Sequence, residues 1–344
     1  MAKKIAESKK TPAVSIIIPM YNAERYIEPC LQSLLNQTST DFEVIIVDDC
    51  STDQSPSIVK SFFELFDDRL TLLKTKKNSG LPWFPRNLAM KSARGKYIVF
   101  LDNDDMLEPR AMEVLVANAE TFNADFVLTE KYLEIDGENL SPQSYQRGEF
   151  VTKPVPMVEN IGERIANLVN YGCLWDVWGK LFRREFLIRN RIEFPQVILF
   201  EDFCFFVQAL VSAKVCIRIP DIISIHRNRP DSLSHDPPHP FDITRNMIDV
   251  FRLLDRFLSN HDFFINNRKY RYMLLDFFVR HRIRLVAENI YALSEPSEID
   301  EYLRRYIFNV NPKDNVALTC HLFDLVNVLY LENEQLRKEI PHGK

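Results

Sequence analysis

"YIVFLDNDDML" (residues 97–107) joins a run of apolar, β-favouring residues to three acids. Tyr97 to Leu101 reads as a strand covered on both faces. Asp102, Asp104 and Asp105 then crowd like charge at its end, and such a cluster left unpaired destabilises the fold. The stretch therefore predicts that something cationic gathers there. Upstream, the same pattern recurs. "AVSIIIPMYN" (13–22) is a buried strand that stops at Pro19, and "FEVIIVDDCSTD" (42–53) is a second, again ending in acid. "LTLLKTKKN" is a third, shorter strand.

Helices separate these strands. "ERYIEPCLQSLLNQ" (24–37) has Ile27, Leu31, Leu34 and Leu35 at helical spacing, with Pro29 in its first turns. "QSPSIVKSFFELF" (54–66) is a second helix, and "PRNLAMKSARG" (85–95) is a third, with Gly95 as its C′ residue. Alternating strands and helices predict an α/β fold with a mostly parallel sheet flanked by helices. In such sheets ligands bind beyond the carboxyl ends of the strands. Both acidic clusters fall at those ends, so one site could hold both.

Beyond Asp105 the pattern loosens. "PRAMEVLVANAETF" is helical and "ADFVLTEKYLEI" strand-like, and residues 137–160 form a loop or hairpin. "RIANLVN" (164–170) and "DFCFFVQALVS" (202–212) read as helices, and "VCIRIPDIISIHR" (215–227) alternates and breaks at Pro220. The proline cluster in "SHDPPHPFD" marks a boundary near residue 235. Residues 236–344 are predicted to form a helical C-terminal region.

Composition narrows the function classes. The 344 residues are 46% hydrophobic and 26% charged, with a net charge of −5, which argues against a general nucleic-acid binder. Six cysteines form no C-x-x-C pair, which fits a reducing compartment, and neither a disulfide framework nor a zinc site. No apolar run approaches the roughly 18 residues of a spanning helix. "MAKKIAESKK" lacks the apolar core of a secretory signal, and residues 1–12 read as a solvated basic tail. These features suit a cytoplasmic protein. G-x-G-x-x-G and G-x-x-x-x-G-K-[ST] are both absent, so a phosphate ligand would need a metal and cationic side chains. Asp102 and Asp104, at i and i+2, aim two hard oxygen donors in one direction, which suits Mg²⁺ or Mn²⁺ bridging a diphosphate. The alternative is a polar strand end with a helix N-cap at Asp105.

The chain resembles the family 2 glycosyltransferases, which have the GT-A fold and invert the anomeric centre. The resemblance rests on an ordered set: "VSIIIPMYNAERYI", "LQSLLNQT", "FEVIIVDDCSTD", "ARGKYIVFLDNDD", "WGKLFRREFL" and "EDFCFF". It implies a GT-A domain over 13–235, with a nucleotide half at 13–105 and an acceptor half at 106–235. By the same resemblance Pro19, Tyr21 and Asn22 would line the nucleoside pocket. Asp49 would accept a hydrogen bond from the base N–H, with Asp48 in support; uracil suits a carboxylate acceptor. Capping of the next helix is the structural alternative for both. Asp102 would touch the ribose or a metal-bound water, Asp104 would bind the metal, and Asp105 would be structural.

In "FEDFCFF", Asp202 would be the general base and Glu201 would orient it or contact the acceptor; an N-cap role is the alternative. Arg227, Arg229, Ser232 and Ser234 in "HRNRPDSLSH" resemble the segment that closes over the donor diphosphate, and His226 or His235 could supply a third metal ligand. Trp175, Trp178 and Lys180 in "LWDVWGK" resemble the acceptor-side wall, although Trp also packs well in cores. Arg86 would contact the diphosphate, but the family's A-R-N-x-G is here Pro85, Arg86, Asn87, Leu88, Ala89. The implied partners are a nucleotide-sugar donor and a saccharide or lipid-linked saccharide acceptor. A sugar-nucleotide-binding or scaffold protein on the same fold is the alternative; Asp104 and Asp202 argue for turnover. The basic, aromatic-rich segment 268–286 has too many apolar positions for one narrow stripe and reads first as a packed domain helix, with contact to an anionic membrane at its inner face as the alternative. The leucine spacing in 322–340 fits a terminal helix packing on its own domain or pairing in a homodimer.

Overall fold

The computed structural model describes residues 11–137, 139–144, 149–229 and 240–278. Ser232, Ser234, His235, residues 1–10 of the basic tail, the end of the basic segment and the 322–340 heptads lie outside the described residues. The chain divides into two compact units, one of residues 1–196 and 200–230, the other of 197–199 and 231–344.

The first unit opens as the sequence pattern expects. β1 (Val14–Met20), α1 (Ile27–Leu35), β2 (Phe42–Asp48), α2 (Ser55–Ser61), β3 (Leu70–Lys74), α3 (Trp83–Ser92) and β4 (Tyr97–Phe100) alternate. Every residue of β1, β2 and β4 is buried, which is why they read as unbroken apolar runs. β2 and β4 both pair with β1 in parallel, so Met20, Asp48 and the residues after Phe100 end on one edge. Pro29 sits in the first turn of α1, where its missing N–H leaves no bond unmade.

The chain continues through β5 (Met106–Leu107), α4 (Ala111–Thr121), β6 (Phe126–Thr129), β7 (Tyr132–Asp136), β8 (Asn139–Gln143), β9 (Val155–Pro156) and α5 (Ile161–Tyr171). β10 (Lys180–Arg183), α6 (Arg184–Asn190), α7 (Glu201–Ser212), β11 (Cys216–Ile219) and β12 (Ser224–Arg227) complete the unit. Eight strands form one sheet in the order β3-β2-β1-β4-β10-β6-β11-β9. β10 runs antiparallel to both β4 and β6, so its start, with Trp178 just before it, meets the carboxyl edge of β4. Phe100, Phe126, Phe182, Phe194, Phe205 and Phe206 stack or meet edge-on beneath that edge, which accounts for part of the chain's wealth of phenylalanine.

Several local readings change. "ADFVLTEKYLEI" is two strands, because Glu130 turns inward to hold Arg218 and the Val151 N–H, and the chain crosses there to a second sheet. That four-stranded sheet, β5-β12-β7-β8, has no counterpart in the sequence reading. The helix expected over 54–66 ends at Ser61, where Phe62 and Phe63 tighten to i→i−3 bonds. Gly95 is not a C′ residue either. α3 ends at Ala93 in extended geometry, and Gly95 instead lies against β1: a Cβ there would come within 2.5 Å of the Ser15 nitrogen.

In the second unit, the side chain of Asn246 on α8 (Pro240–Ser259) accepts from the Ile198 N–H at 2.6 Å. Val250, Phe251, Leu254 and Leu258 form its buried stripe. α9 (Asp262–Asn266) and a further helix over 268–278 follow, with Arg271 paired to Asp255 at 2.5 Å. Among the described residues no helix is long and apolar enough to cross a membrane.

Candidate active site

The strand ends assemble the site. At the ends of β1 and β2, the Asn22 side-chain oxygen accepts from the Thr52 N–H at 2.8 Å, so the two turns are tied together. Tyr21 stands 45% exposed beside them, and the Pro19 carbonyl accepts from Asn103 at 2.9 Å. Asp48 accepts from the Ser51 N–H at 2.8 Å and lies 3.6 Å from the Lys74 ammonium. Asp49 accepts from Thr75 Oγ1 (2.8 Å), Ser79 N–H (2.8 Å) and Ser79 Oγ (2.6 Å). Its first role is thus to anchor the 75–79 loop. A carboxylate offers about four lone-pair positions, so one stays open to a ligand.

The cation foreseen at the end of β4 is Arg86. Its guanidinium donates to Asp102 at 2.7 Å, to Asp202 at 2.6 Å and to Glu201 at 3.0 Å. It is 3% exposed and lies 5.2 Å over the Phe194 ring. Expected at the diphosphate, Arg86 here turns both Nη atoms to these carboxylates, and its side chain is covered. Burial pushes the Asp202 carboxyl well above the ordinary range, against the opposing pull of Arg86. Burial also raises Glu201, again opposed by Arg86.

β12 brings a second set of cations. Arg229 pairs with Asp104, and the Arg227 Nε donates to the Asp104 carbonyl at 3.2 Å. Both guanidinia lie over the Tyr26 ring, at 5.7 Å and 5.1 Å. Asp105, fully buried, accepts from the Arg227 N–H at 2.9 Å and sits 3.0 Å from His226 Nδ1. Burial pushes Asp105 up to about 6, with the His226 contact opposing. For His226, burial disfavours the cation, but the hydrogen bond and charge of Asp105 prevail and raise it to about 9.

His226, expected as a metal ligand, is engaged elsewhere: its Nδ1 is held by Asp105, and its ring stacks on Trp178 at 5.4 Å. Among the described residues no group of three or more His, Cys, Asp or Glu is set to hold a metal. Asp102 and Asp104 remain as hard oxygen donors. Mg²⁺ commonly uses one or two carboxylates, with substrate phosphates and water, so this pair fits such an ion.

The residues expected at the acceptor-side wall are covered. Trp178 is 5% exposed between His226 and Tyr132, and Trp175 is 8% exposed, edge-on to Phe203. Lys180 is fully buried, donates to the Asp176 carbonyl, and has its ammonium over the Phe206 ring. Burial lowers it to about 8, against the pull of Asp176 and Cys173. These three support the site from beneath. Tyr26, Asn103, Ser79 and Phe194 also belong to the site; Tyr26 and Asn103 lie inside the quoted stretches, but the partners of all four are distant along the chain, so sequence reasoning missed their roles.

The model of glycosyl transferase family 2 matches residues 15–189. The chain belongs to this family. It is 34% identical over 231 residues to the uncharacterized glycosyltransferase EpsJ of Bacillus subtilis, covering 67% of this chain and 65% of that protein. It is 34% identical over 203 residues to the poly(ribitol-phosphate) beta-N-acetylglucosaminyltransferase TarS of Staphylococcus aureus, covering 58% of this chain and 33% of TarS. The chain thus spans less than two thirds of either relative. The crystal structure of S. aureus TarS 1–349 with UDP-GlcNAc superposes with a TM-score of 0.72 at 24% identity, over 94% of this chain and 91% of that one. The fold is of the GT-A type shared with TarS.

Proposed function

We propose that the chain is an inverting glycosyltransferase that moves a sugar from a UDP-linked donor to a hydroxyl of a saccharide acceptor, with Asp202 as general base. The observation that carries this reading is the gathering of Asp102, Glu201 and Asp202 around Arg86 at the carboxyl edge of the parallel strands. Asp202 takes the acceptor hydroxyl proton as that oxygen attacks C1 of the donor sugar. The C1–O bond to the diphosphate breaks, and its electron pair leaves with the diphosphate. A carboxylate whose pKa is raised by burial is a stronger base than an exposed one.

Pro19, Tyr21, Asn22, Asp48 and Asp49 form the nucleoside end of this reading. Arg227 and Arg229 form the diphosphate end, where fixed cations stabilise developing negative charge. Asp102 and Asp104 would hold Mg²⁺ or Mn²⁺, which adds charge neutralisation at the diphosphate. Names of relatives support the acceptor class: TarS is a poly(ribitol-phosphate) N-acetylglucosaminyltransferase, and a further relative at 28% identity is a poly(ribitol-phosphate) beta-glucosyltransferase. A surface-polymer acceptor, reached in the cytoplasm or at the inner membrane face, is the corresponding proposal.

The test is turnover of a panel of UDP- and GDP-sugars, with and without Mn²⁺, in wild type and Asp202→Asn. The reading expects metal-dependent release of UDP, reduced on the order of 10²- to 10⁴-fold in the variant with UDP affinity retained. UDP binding without turnover of any donor would instead favour a sugar-nucleotide-binding protein.

A further inference from the structure

Arg86 does more in this structure than neutralise charge. It lies in the first half of α3, a helix resting on β1 and β2. Its Nη2 reaches Asp102, just past β4, and its Nη1 reaches Glu201 and Asp202, at the start of α7. The acids come from elements 16 to 116 residues apart in sequence from Arg86. One planar fork spans both groups.

The fork itself is held. Phe194 lies under the guanidinium, and Asn87, the next residue on α3, grips the Phe194 backbone at both ends. Asn87 donates to the Phe194 carbonyl at 2.8 Å and accepts its N–H at 3.0 Å. Phe194 also stacks on Phe205 of α7, with ring centroids 4.3 Å apart. The same two consecutive residues of α3 therefore fix the charge partner of α7 and its packing partner.

We infer that Arg86 is a positioning residue: it fixes the Asp202 oxygen relative to the donor end of the site at Asp102, so that base and donor keep one spacing. This rests on the reading of Asp202 as the base. The physical reason for arginine is its geometry. Its nitrogens diverge in a rigid plane and can serve carboxylates on opposite sides, whereas a lysine ammonium is a single point on a flexible stem. Without the tie, neighbouring carboxylates in a covered site repel one another and separate. A misplacement of about 1 Å at a reacting group can lower the rate on the order of 10²-fold.

The test uses Arg86→Lys and Arg86→Gln in the full chain, with UDP-GlcNAc turnover to UDP, UDP binding by calorimetry, and thermal unfolding. Arg86→Lys keeps the charge, and is expected to fold and bind UDP within about threefold of wild type. Its kcat should fall at least about tenfold with little change in KM, and that of Arg86→Gln about 100-fold. A kcat within threefold of wild type in Arg86→Lys overturns the inference even if Arg86→Gln fails to fold. A loss confined to UDP affinity or KM also overturns it, and returns Arg86 to donor binding. Where wild type turns over another UDP-sugar rather than UDP-GlcNAc, the same kcat and KM comparison is made with that donor, and the same thresholds decide. Asp202→Asn separates the two levels. If that variant keeps normal turnover the base reading fails; if it is inactive while Arg86→Lys is normal, only the present inference fails.

Discussion

Asp49 is where loop anchoring and ligand recognition can be separated by one atom. Its carboxylate is 3% exposed and accepts from Thr75 Oγ1, Ser79 N–H and Ser79 Oγ. In Asp49→Ala, the hydroxyls have other acceptors within reach, Lys77 O at 2.9 Å for Thr75 and Leu81 O at 3.0 Å for Ser79. Only the Ser79 N–H is stranded, a loss of about 1–3 kcal/mol. In Asp49→Asn, the amide oxygen can keep both Ser79 bonds, and the amide nitrogen can donate to the Thr75 hydroxyl. The expected loss is about 1 kcal/mol, that of a charge-assisted bond made neutral. Both lone pairs of that oxygen are then occupied, so nothing is left to accept a nucleobase N–H. Urea unfolding and UDP calorimetry read the two effects independently. Asp49→Asn should stay near wild type in stability and lose UDP affinity at least about tenfold. Unchanged UDP affinity would refute the base contact and leave Asp49 only as the loop anchor. A stability loss equal to that of Asp49→Ala would refute the hydrogen-bond exchange.

Gly95→Ala should destabilise the fold by about 3 kcal/mol or more, because the new methyl meets Ser15 and Val14 backbone atoms at 2.5 and 2.7 Å; denaturant midpoints check this, and a loss under about 0.5 kcal/mol would show that β1 moves aside easily. Lys180 has a folded pKa lowered by burial from 10.5 to about 8, so the unfolded chain holds its proton to higher pH. Stability should therefore rise as pH climbs from about 8 towards 10.5, by on the order of 3 kcal/mol. Lys180→Met should flatten that rise and be neutral or stabilising at pH 7; an undiminished rise would assign it to another group.

The parallel half of the fold was legible because strands buried on both faces announce themselves. "VSIIIPM", "FEVIIVD" and "YIVF" contain almost nothing but core residues, and each became a strand paired as parallel order requires. The acids at their ends were legible because the apolar runs break there into charged residues, although Asp48, Asp49, Asp104 and Asp105 are themselves buried. The pairing of those acids was not. Arg86 and Asp202 are 116 residues apart, and Asp105 and His226 are 121 apart. No local period encodes such meetings. They arise from β12 crossing to a second sheet and from α7 beginning beside α3. The burial of Lys180 and Trp178 was not legible, because it depends on the antiparallel entry of β10, which brings them to the carboxyl edge of β4.

Gly95 shows how the two ends of the sheet divide the work. Its N–H donates to Ser15 Oγ at 2.8 Å; Ser15 Oγ donates to Glu43 at 2.7 Å; and Glu43 receives the Arg94 guanidinium at 2.6 Å. This network joins the starts of β1, β2 and β4 at the edge away from the acids. There the Glu43 carboxylate is matched by Arg94, and the backbones of Gly95 and Ser15 approach closely. At the carboxyl edge the balance differs. Asp102 keeps 29% of its side chain exposed, and Arg86 faces Asp102, Glu201 and Asp202 at once, an excess of negative charge around one cation. Like charges gathered without full compensation weaken a fold, and such local conflict is characteristic of functional sites. The opposite edge fixes the register of β1, β2 and β4 independently, so Asp102 keeps its place at the end of β4, while Arg86 ties Glu201 and Asp202 of α7 to it.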